Sequence, residues 1–201
     1  MTNDTMMMDN TPEASAAPRH VEVAGRGGWP FLSLLRIAIG FIFLWAFLDK
    51  LFGLGFSTCR DRDTGDITVG CDAAWIHGSR ITEGYLGSST GPFADFFANL
   101  GTQAWTDWPF MLGLAGIGLA LMLGIGTRIA MWAGILMLSM MYISHSWPNQ
   151  GGNTTNPFID EHIIEILAIV ACVQLELARQ SIGLGKWWRG MGVVQKNRWL
   201  I

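Results

Sequence analysis

The stretch that decides the fold class of this chain is Pro30–Leu48, PFLSLLRIAIGFIFLWAFL. It contains a single charged residue, Arg36. Its length is close to the ~20 residues that an α-helix needs to cross a hydrocarbon core about 30 Å thick. Pro30 suits the first turn of a helix, where the N–H that proline lacks would have no helical partner. The stretch therefore predicts a transmembrane helix.

Three further apolar stretches of similar length lie at Pro109–Ile125, Arg128–Trp147 and Asp160–Ala178. Hydrophobic residues make up 50% of the chain and charged residues 14%, against roughly 25% charged residues in soluble domains. Four such stretches leave too little polar surface for a soluble protein of 201 residues. We therefore expect an all-α integral membrane four-helix bundle. Nucleic-acid binding is not expected, because the sequence has no clustered basic face.

The positions of Lys and Arg predict the orientation, because cytoplasmic segments of membrane proteins are enriched in both. With the N-terminus inside, the inner side holds Arg19, Arg26, Arg128, Arg179, Lys186, Arg189, Lys196 and Arg198, and the outer side holds Lys50, Arg60, Arg62 and Arg80. We therefore expect a multi-pass protein of the plasma membrane with both termini in the cytoplasm. Its predicted parts are a disordered cytoplasmic tail (1–28), a four-helix transmembrane domain (29–182) and a basic, Trp-containing cytoplasmic tail (183–201).

A long outer loop, from about Asp49 to Trp108, separates the first two helices. Within it, Gly91–Gly101 (GPFADFFANLG) predicts a short interfacial helix. Its apolar residues recur at helical spacing, which places them on one face. They are Phe93, Phe96, Phe97 and Leu100.

Two of the three cysteines, Cys59 and Cys71, lie on the predicted outer, oxidising side. We expect them to form a structural disulfide. The alternative is a redox-active pair, which the absence of C-x-x-C spacing disfavours. Cys172, inside the fourth helix, is expected to be inert.

The second and third helices are joined by only Gly126 and Thr127, which predicts an antiparallel hairpin. The second helix carries a row of small residues at Gly116, Ala120 and Gly124. Such a row allows the backbone of another helix to approach closely. We expect helix packing along this row.

Ionisable residues at membrane depth are the sharpest functional signal, because placing a charge there is costly. In antiparallel first and fourth helices, Arg36 falls level with Glu176. Lys50 falls level with Glu165 or Glu161 near the outer side. We therefore expect two layers of ion pairs. These pairs either only neutralise each other and orient the helices, or contribute to a functional site.

The outer layer lies beside His162 and within reach of His145 and Tyr142 of the third helix. A carboxylate, an imidazole and an ammonium around one outer cavity are suited to bind an anion or to relay protons to a quinone. On this hypothesis, Lys50, His162 and Glu165 are catalytic. The substrate-binding residues are then Arg36, Glu176, His145 and Tyr142. No zinc, haem or iron–sulfur spacing is present, so no metal or haem is expected.

Five segments carry a resemblance to a known family. They are RIAIGFIFLWAFLDKLFG, TEGYLGSSTGPFADFF, GIGTRIA, NPFIDEHIIEILAIV and GLGKWW, and they lie within residues 30–188. With them the chain resembles the DoxX/DoxD family of small four-helix membrane proteins. DoxD proteins are subunits of a thiosulfate:quinone oxidoreductase, which oxidises thiosulfate to tetrathionate and passes electrons to membrane quinone. The resemblance implies quinone as a substrate. It assigns no catalytic residue, and it does not include the Cys59/Cys71 segment.

The sequence thus favours a membrane subunit of a quinone-linked oxidoreductase that acts on thiosulfate or a related sulfur compound. No electron-carrying cofactor site is evident, so we expect a partner redox subunit, a homo-oligomer, or direct chemistry between substrate and quinone. The alternative is a non-catalytic membrane anchor or scaffold of a redox complex. A small-solute carrier is less favoured, because the helices show neither a broken pair nor an inverted repeat.

Overall fold

The computed structural model describes residues 28–147 and 158–201, which are mainly helical and contain no strand, only an isolated β-bridge between Arg60 and Ile67. The α-helices are α1 (Trp29–Phe52), α2 (Ile81–Gly87), α3 (Ala94–Gly101), α4 (Asp107–Leu123), α5 (Thr127–Met141), α6 (Glu161–Ala178), α7 (Gly185–Gly190) and α8 (Gly192–Lys196). A π-helical turn, Tyr142–Ser146, continues α5. Apart from Gly28, the predicted tail of residues 1–28 lies outside the described residues.

Within the part of the chain that the structure describes, three helical segments are long and apolar enough to cross a membrane: Trp29–Phe52, Ala104–Leu123 and Thr127–His145. Their mean hydropathies are 2.3, 1.4 and 1.3. Many of their large apolar side chains face outward, among them Phe41, Leu119 and Trp132. An outward apolar surface of this kind suits lipid and not water. The sequence-based prediction of a multi-pass membrane protein is supported to this extent.

The fourth predicted span corresponds to α6, which differs from the other three in its charge. It carries three glutamates, Glu161, Glu165 and Glu176, along its 18 residues. Asp160 caps its start, and its carboxylate accepts a hydrogen bond from the backbone N–H of Ile163 at 3.2 Å. The side chains of Ile169 and Val173, in the middle of α6, are fully buried. Helix α6 is therefore an integral part of the core.

The four long helices pack in a ring, in which α1 contacts α4, α4 contacts α5, α5 contacts α6, and α6 returns to α1. Their shared core is built from side chains such as Phe43, Met111, Leu121 and Ile169. Each long helix therefore buries one stripe against its neighbours and leaves the opposite stripe exposed.

A very close helix contact joins Gly40 of α1 to Gly118 of α4. A Cβ atom at Gly118 would lie 2.7 Å from the backbone nitrogen of Leu44, and one at Gly40 would lie 2.8 Å from the backbone nitrogen of Met122. Only glycine therefore permits this approach. Of the predicted row Gly116, Ala120 and Gly124, Gly116 lies on another face of α4, exposed and with open space around it, whereas a Cβ atom at Gly124 would meet the side chains of Gln180 and Arg36.

One end of the helix ring, which we call the loop end, carries residues 53–106. Cys59 and Cys71 are joined there by a disulfide, which is the expected pairing. The predicted interfacial helix is present as α3 but begins at Ala94, and its apolar face is divided, since Phe97 is buried whereas Phe93 and Phe96 are exposed. Helix α2, which packs on α3, is not predicted by the sequence pattern.

The opposite end, which we call the C-terminal end, carries α7 and α8. Exposed tryptophans lie at both ends: Trp105 and Trp108 at the loop end, and Trp187 and Trp199 at the C-terminal end. This distribution is typical of the two interfacial aromatic belts of membrane proteins.

Candidate functional site

A cavity of about 350 Å³ lies between α4 and α5. Helices α2 and α3 close it at the loop end. Its lining residues are Thr82, Tyr85, Leu86, Leu100, Trp105, Thr106, Pro109, Phe110, Gly113, Ile117, Ala133, Leu136, Met137, Met140, Met141 and Ser144. Most of these side chains are apolar. The volume lies within the usual range of small-molecule sites, roughly 300–1,000 Å³.

The cavity opens sideways between the two helices. Trp105 and Leu136, at its rim, are 61% and 63% exposed. Because both belong to segments apolar enough to cross a membrane, this opening faces the same surroundings as the outer apolar stripe. An apolar molecule dissolved in a bilayer could enter here without passing through water.

The polar groups of the cavity are gathered at the loop end. They are the hydroxyls of Thr82, Tyr85, Thr106 and Ser144. Ser144 is fully buried and belongs to the π-helical turn that ends α5. Such turns are rare and are frequent at functional sites, because they redirect the side chains that come after them. The cavity is therefore almost entirely apolar, and its few polar side chains lie at one end.

His145 contacts the residues at this polar end of the cavity without lining the cavity itself. Its ring lies against that of Tyr85, with 4.3 Å between ring centroids. Its Nδ1 lies 2.8 Å from Ser144 Oγ, and that hydroxyl donates to the Met141 carbonyl at 3.0 Å. Its Nε2 lies 3.5 Å from Ser88 Oγ, and the Ser88 hydroxyl donates to the Tyr85 carbonyl at 2.9 Å.

The phenol of Tyr85 is held in its neutral form. Burial raises the pKa of Tyr85 to about 12, the nearby charge of Glu161 adds to this, and the hydrogen bond with Ser144 acts in the opposite direction. The ring of Phe110, which also lines the cavity, stacks on the ring of Tyr85, with 6.1 Å between the two ring centroids. Tyr85 therefore offers a proton donor at neutral pH and keeps its ring position.

Asp107 fixes this wall to α4. Its buried carboxylate accepts hydrogen bonds from the backbone N–H and the hydroxyl of Thr82, each at 2.7 Å. It also forms an ion pair with Arg80, at 2.7 Å. Arg80 in turn donates to the Gly101 carbonyl at 2.9 Å. These contacts tie the starts of α2 and α4 and the end of α3 together, so the cavity is a built feature of the loop end.

The charged cluster predicted on α6 lies near this site. His162 Nδ1 is 2.7 Å from the Asp160 carboxylate. His162 is within electrostatic range of both His145 and Glu165. The structure thus brings His145, His162 and half-buried Glu165 into one region, as expected from the sequence, although none of the three is a lining residue of the cavity.

Asp160, Glu161 and His162 each present one possible metal-ligand atom, and these atoms lie within 4.8 Å of one another. Asp160 already caps α6 and contacts His162. Tyr142, also predicted to bind substrate, points elsewhere and donates its hydroxyl proton to the Phe158 carbonyl at 2.9 Å. It is not among the lining residues of the cavity.

Lys50 is not part of this region. The predicted ion pair with Glu165 or Glu161 is not formed, and the Lys50 ammonium lies 3.3 Å from the Ser57 hydroxyl instead. The reason is its neighbour Asp49, which is fully buried. Asp49 accepts hydrogen bonds from the backbone N–H groups of Phe56, Ser57 and Thr58 at 2.8–3.0 Å. The loop folds back over the end of α1 and keeps Lys50 on that side.

The expected Arg36–Glu176 pair is formed, and it is buried, with 1% and 5% of the two side chains exposed. Arg36 donates to Glu176, to the carbonyls of Leu121 and Met122, and to that of Ile182. Ser33 donates to the second carboxylate oxygen. These contacts satisfy both charges within the protein and join α1, α4 and α6. Such a network is suited to fixing helices.

Sequence reasoning missed the residues that build the cavity, chiefly Tyr85, Ser144, Asp107 and Arg80. The available signal was weak: Tyr85 lies in a segment with no clear period, and Asp107 resembles an ordinary helix-start acid. Comparison with family models, with curated proteins and with solved structures found no match to this chain.

Proposed function

We propose that this chain is the quinone-binding membrane subunit of an oxidoreductase that acts on thiosulfate or a related sulfur compound. In this proposal α6 crosses the bilayer together with the three apolar segments, the membrane is the plasma membrane, and the loop end faces outward. The resemblance to DoxX/DoxD proteins motivates the choice of reaction. The observation that carries the proposal is the cavity between α4 and α5.

The cavity matches the chemistry of a quinone. An isoprenoid quinone joins a flat ring with two carbonyl acceptors to a long apolar tail. The tail fits the sideways opening between α4 and α5, at Trp105 and Leu136. The ring carbonyl fits the hydroxyl group of Tyr85 at the closed end. This hydroxyl is a hydrogen-bond donor that stays neutral at physiological pH.

The reaction requires protons as well as electrons. Oxidation of two thiosulfate ions to one tetrathionate ion releases two electrons, and quinone takes up these two electrons and two protons to become quinol. On this proposal His145 is positioned to supply protons through Ser144, to which its Nδ1 is hydrogen-bonded at 2.8 Å. His162, which contacts the Asp160 carboxylate at 2.7 Å, lies within electrostatic range of His145. Electrons come directly from the sulfur compound or through a partner subunit.

The test is thiosulfate-dependent reduction of a short-chain quinone by the purified protein in lipid nanodiscs. We expect reduction by the wild type, and at least a tenfold lower rate in Tyr85→Phe. Tyr142→Phe is the matched control, because its hydroxyl contacts the Phe158 carbonyl outside the cavity. Equal rates in wild type and Tyr85→Phe would contradict the assigned site. Absence of reduction together with absence of quinone binding would contradict the function.

A second candidate is a non-catalytic anchor of a redox complex. The loop end supports it, because residues 53–106 form an ordered surface closed by the Cys59–Cys71 disulfide and by the Arg80–Asp107 pair. An anchor would retain a redox subunit after gentle solubilisation even when Tyr85 is replaced by Phe. Loss of that subunit on substitution of exposed loop-end residues, together with the absence of quinone binding in the wild type, would favour the anchor over the quinone site.

A further inference from the structure

The C-terminal segment is folded onto the end of the helix ring. We call residues 179–201 the C-terminal cap. The indole N–H of Trp188 donates to the Leu200 carbonyl at 2.7 Å, and Arg189 donates to the Leu177 carbonyl at 3.0 Å. The backbone N–H of Arg128, at the start of α5, donates to the Ile201 carbonyl at 2.8 Å. The cap is therefore fixed in position relative to the long helices.

The charge of this end is strongly positive. The cap contains five basic residues and no acidic one: Arg179, Lys186, Arg189, Lys196 and Arg198. Within the described ranges, 28–147 and 158–201, none of them forms an ion pair. The nearest acid in sequence, Glu176, is buried and already paired with Arg36. By contrast, residues 53–106 at the loop end carry six acidic residues and three arginines.

Exposed apolar side chains lie among these cations. Trp187, Val193 and Trp199 are 63%, 66% and 64% exposed. Lys186 is adjacent in sequence to Trp187, and Arg198 to Trp199, and both basic residues are exposed. Tryptophan beside Lys or Arg is the composition of segments that lie at the headgroup level of a bilayer. The three apolar segments place this end of the molecule at the surface of the membrane that they cross.

We propose that the C-terminal cap binds the headgroups of anionic phospholipids in the surrounding bilayer. The exposed cations Lys186, Lys196 and Arg198 pair with the phosphate groups. Trp187, Val193 and Trp199 enter the boundary between headgroups and acyl chains. Charge complementarity selects this occupant: a surface with unpaired cations and exposed indoles fits a negative, amphipathic layer. The inference does not depend on the quinone site, which lies at the other end of the ring.

The test measures lipid binding to the full-length protein in neutral detergent by native mass spectrometry. The probes are phosphatidylglycerol and phosphatidylcholine with identical acyl chains. The variant is Lys186→Gln/Lys196→Gln, and the matched control is Arg60→Gln/Arg62→Gln, a pair of exposed cations at the loop end. Both variants alter exposed side chains, and their thermal unfolding is recorded to verify that they fold as the wild type does.

We expect the wild type to prefer phosphatidylglycerol, and the cap variant to bind it on the order of 25-fold more weakly, about fivefold for each cation removed. The loop-end control should bind as the wild type does. High salt should weaken the wild-type preference, since exposed charges are screened. Equal phosphatidylglycerol binding by wild type and cap variant would overturn the proposal. So would an equal loss in the loop-end control.

Discussion

The rings of Tyr85 and His145 lie against each other, with 4.3 Å between their centroids and 33° between their planes. Tyr85 belongs to α2 of the loop end, whereas His145 belongs to the π-helical turn after α5. This contact joins the loop end to the helix ring at the polar end of the cavity. It places a neutral phenol, a buried hydroxyl and an imidazole together, which is the arrangement that the proposed function needs.

The pKa of Tyr85 can be measured without interference from the other tyrosine, because the chain has only two. In a Tyr142→Phe variant, ultraviolet titration of the phenolate should give a midpoint near 12 for Tyr85, well above the ordinary value of about 10. Since the folded pKa is raised, this group's contribution to stability is complete below about pH 10 and is lost as pH rises toward 12. A midpoint near 10 in the folded protein would contradict the buried position.

The Gly40–Gly118 contact predicts that two neighbouring glycines of α4 respond oppositely to alanine. Gly118→Ala places a methyl group against the backbone of Leu44 and should lower the free energy of unfolding by about 1–3 kcal/mol. Gly116→Ala is the matched control, because its Cβ meets open space and alanine favours helix. Unfolding in mixed detergent micelles, followed by circular dichroism, compares the two. Equal stabilities would show that α1 and α4 are not packed in this register.

The buried Arg36–Glu176 pair predicts a strong coupling in a double-mutant cycle. Arg36→Met or Glu176→Met alone leaves a buried charge without its partner, which should cost about 3–5 kcal/mol of unfolding free energy. The double variant removes both charges and should cost clearly less than the sum of the two. The same unfolding assay measures all four proteins. Strictly additive costs would indicate that the two side chains do not interact.

The Cys59–Cys71 disulfide predicts a specific proteolysis pattern. Arg60 and Arg62 are exposed and lie between the two cysteines. Trypsin cleavage at either residue should give two fragments that stay together on a non-reducing gel and separate on reduction. Cys172→Ser is the control and should leave the pattern unchanged, because Cys172 is buried in α6 and unbonded. Separation without reductant would show that the two cysteines are not bonded to each other.

Contacts between long, regular helices are the part of this structure that the sequence predicts best. Arg36 and Glu176 lie on such helices, so counting residues along an antiparallel pair gives their relative depth, and the expected contact is present. The same counting predicts the wrong partner for Lys50, because Lys50 lies in the last turn of α1. Beyond it, Gly53 takes a left-handed conformation and the loop returns to hydrogen-bond with Asp49. Such local hydrogen bonds leave no periodic signal.

The cavity was not predictable for a related reason. One wall is α2, a seven-residue helix whose composition has no clear period. The polar end depends on the π-helical turn Tyr142–Ser146, which adds a residue to the turn and rotates the side chains away from an α-helical register. If α5 continued as a regular α-helix, His145 and Tyr142 would lie on one face, and on that basis both are expected to bind substrate. In the structure, His145 contacts Tyr85 while Tyr142 contacts the Phe158 carbonyl.

The proposed quinone site is the cavity between α4 and α5. The most direct measurement is the dissociation constant of a short-chain quinone for the wild type, for Ala133→Leu, which fills the cavity, and for Ala171→Leu, which adds the same atoms at an exposed site on α6. We predict that Ala133→Leu weakens binding at least tenfold and that Ala171→Leu leaves it unchanged. Equal affinities in all three proteins, or the absence of saturable binding in the wild type, would show that this cavity does not bind quinone.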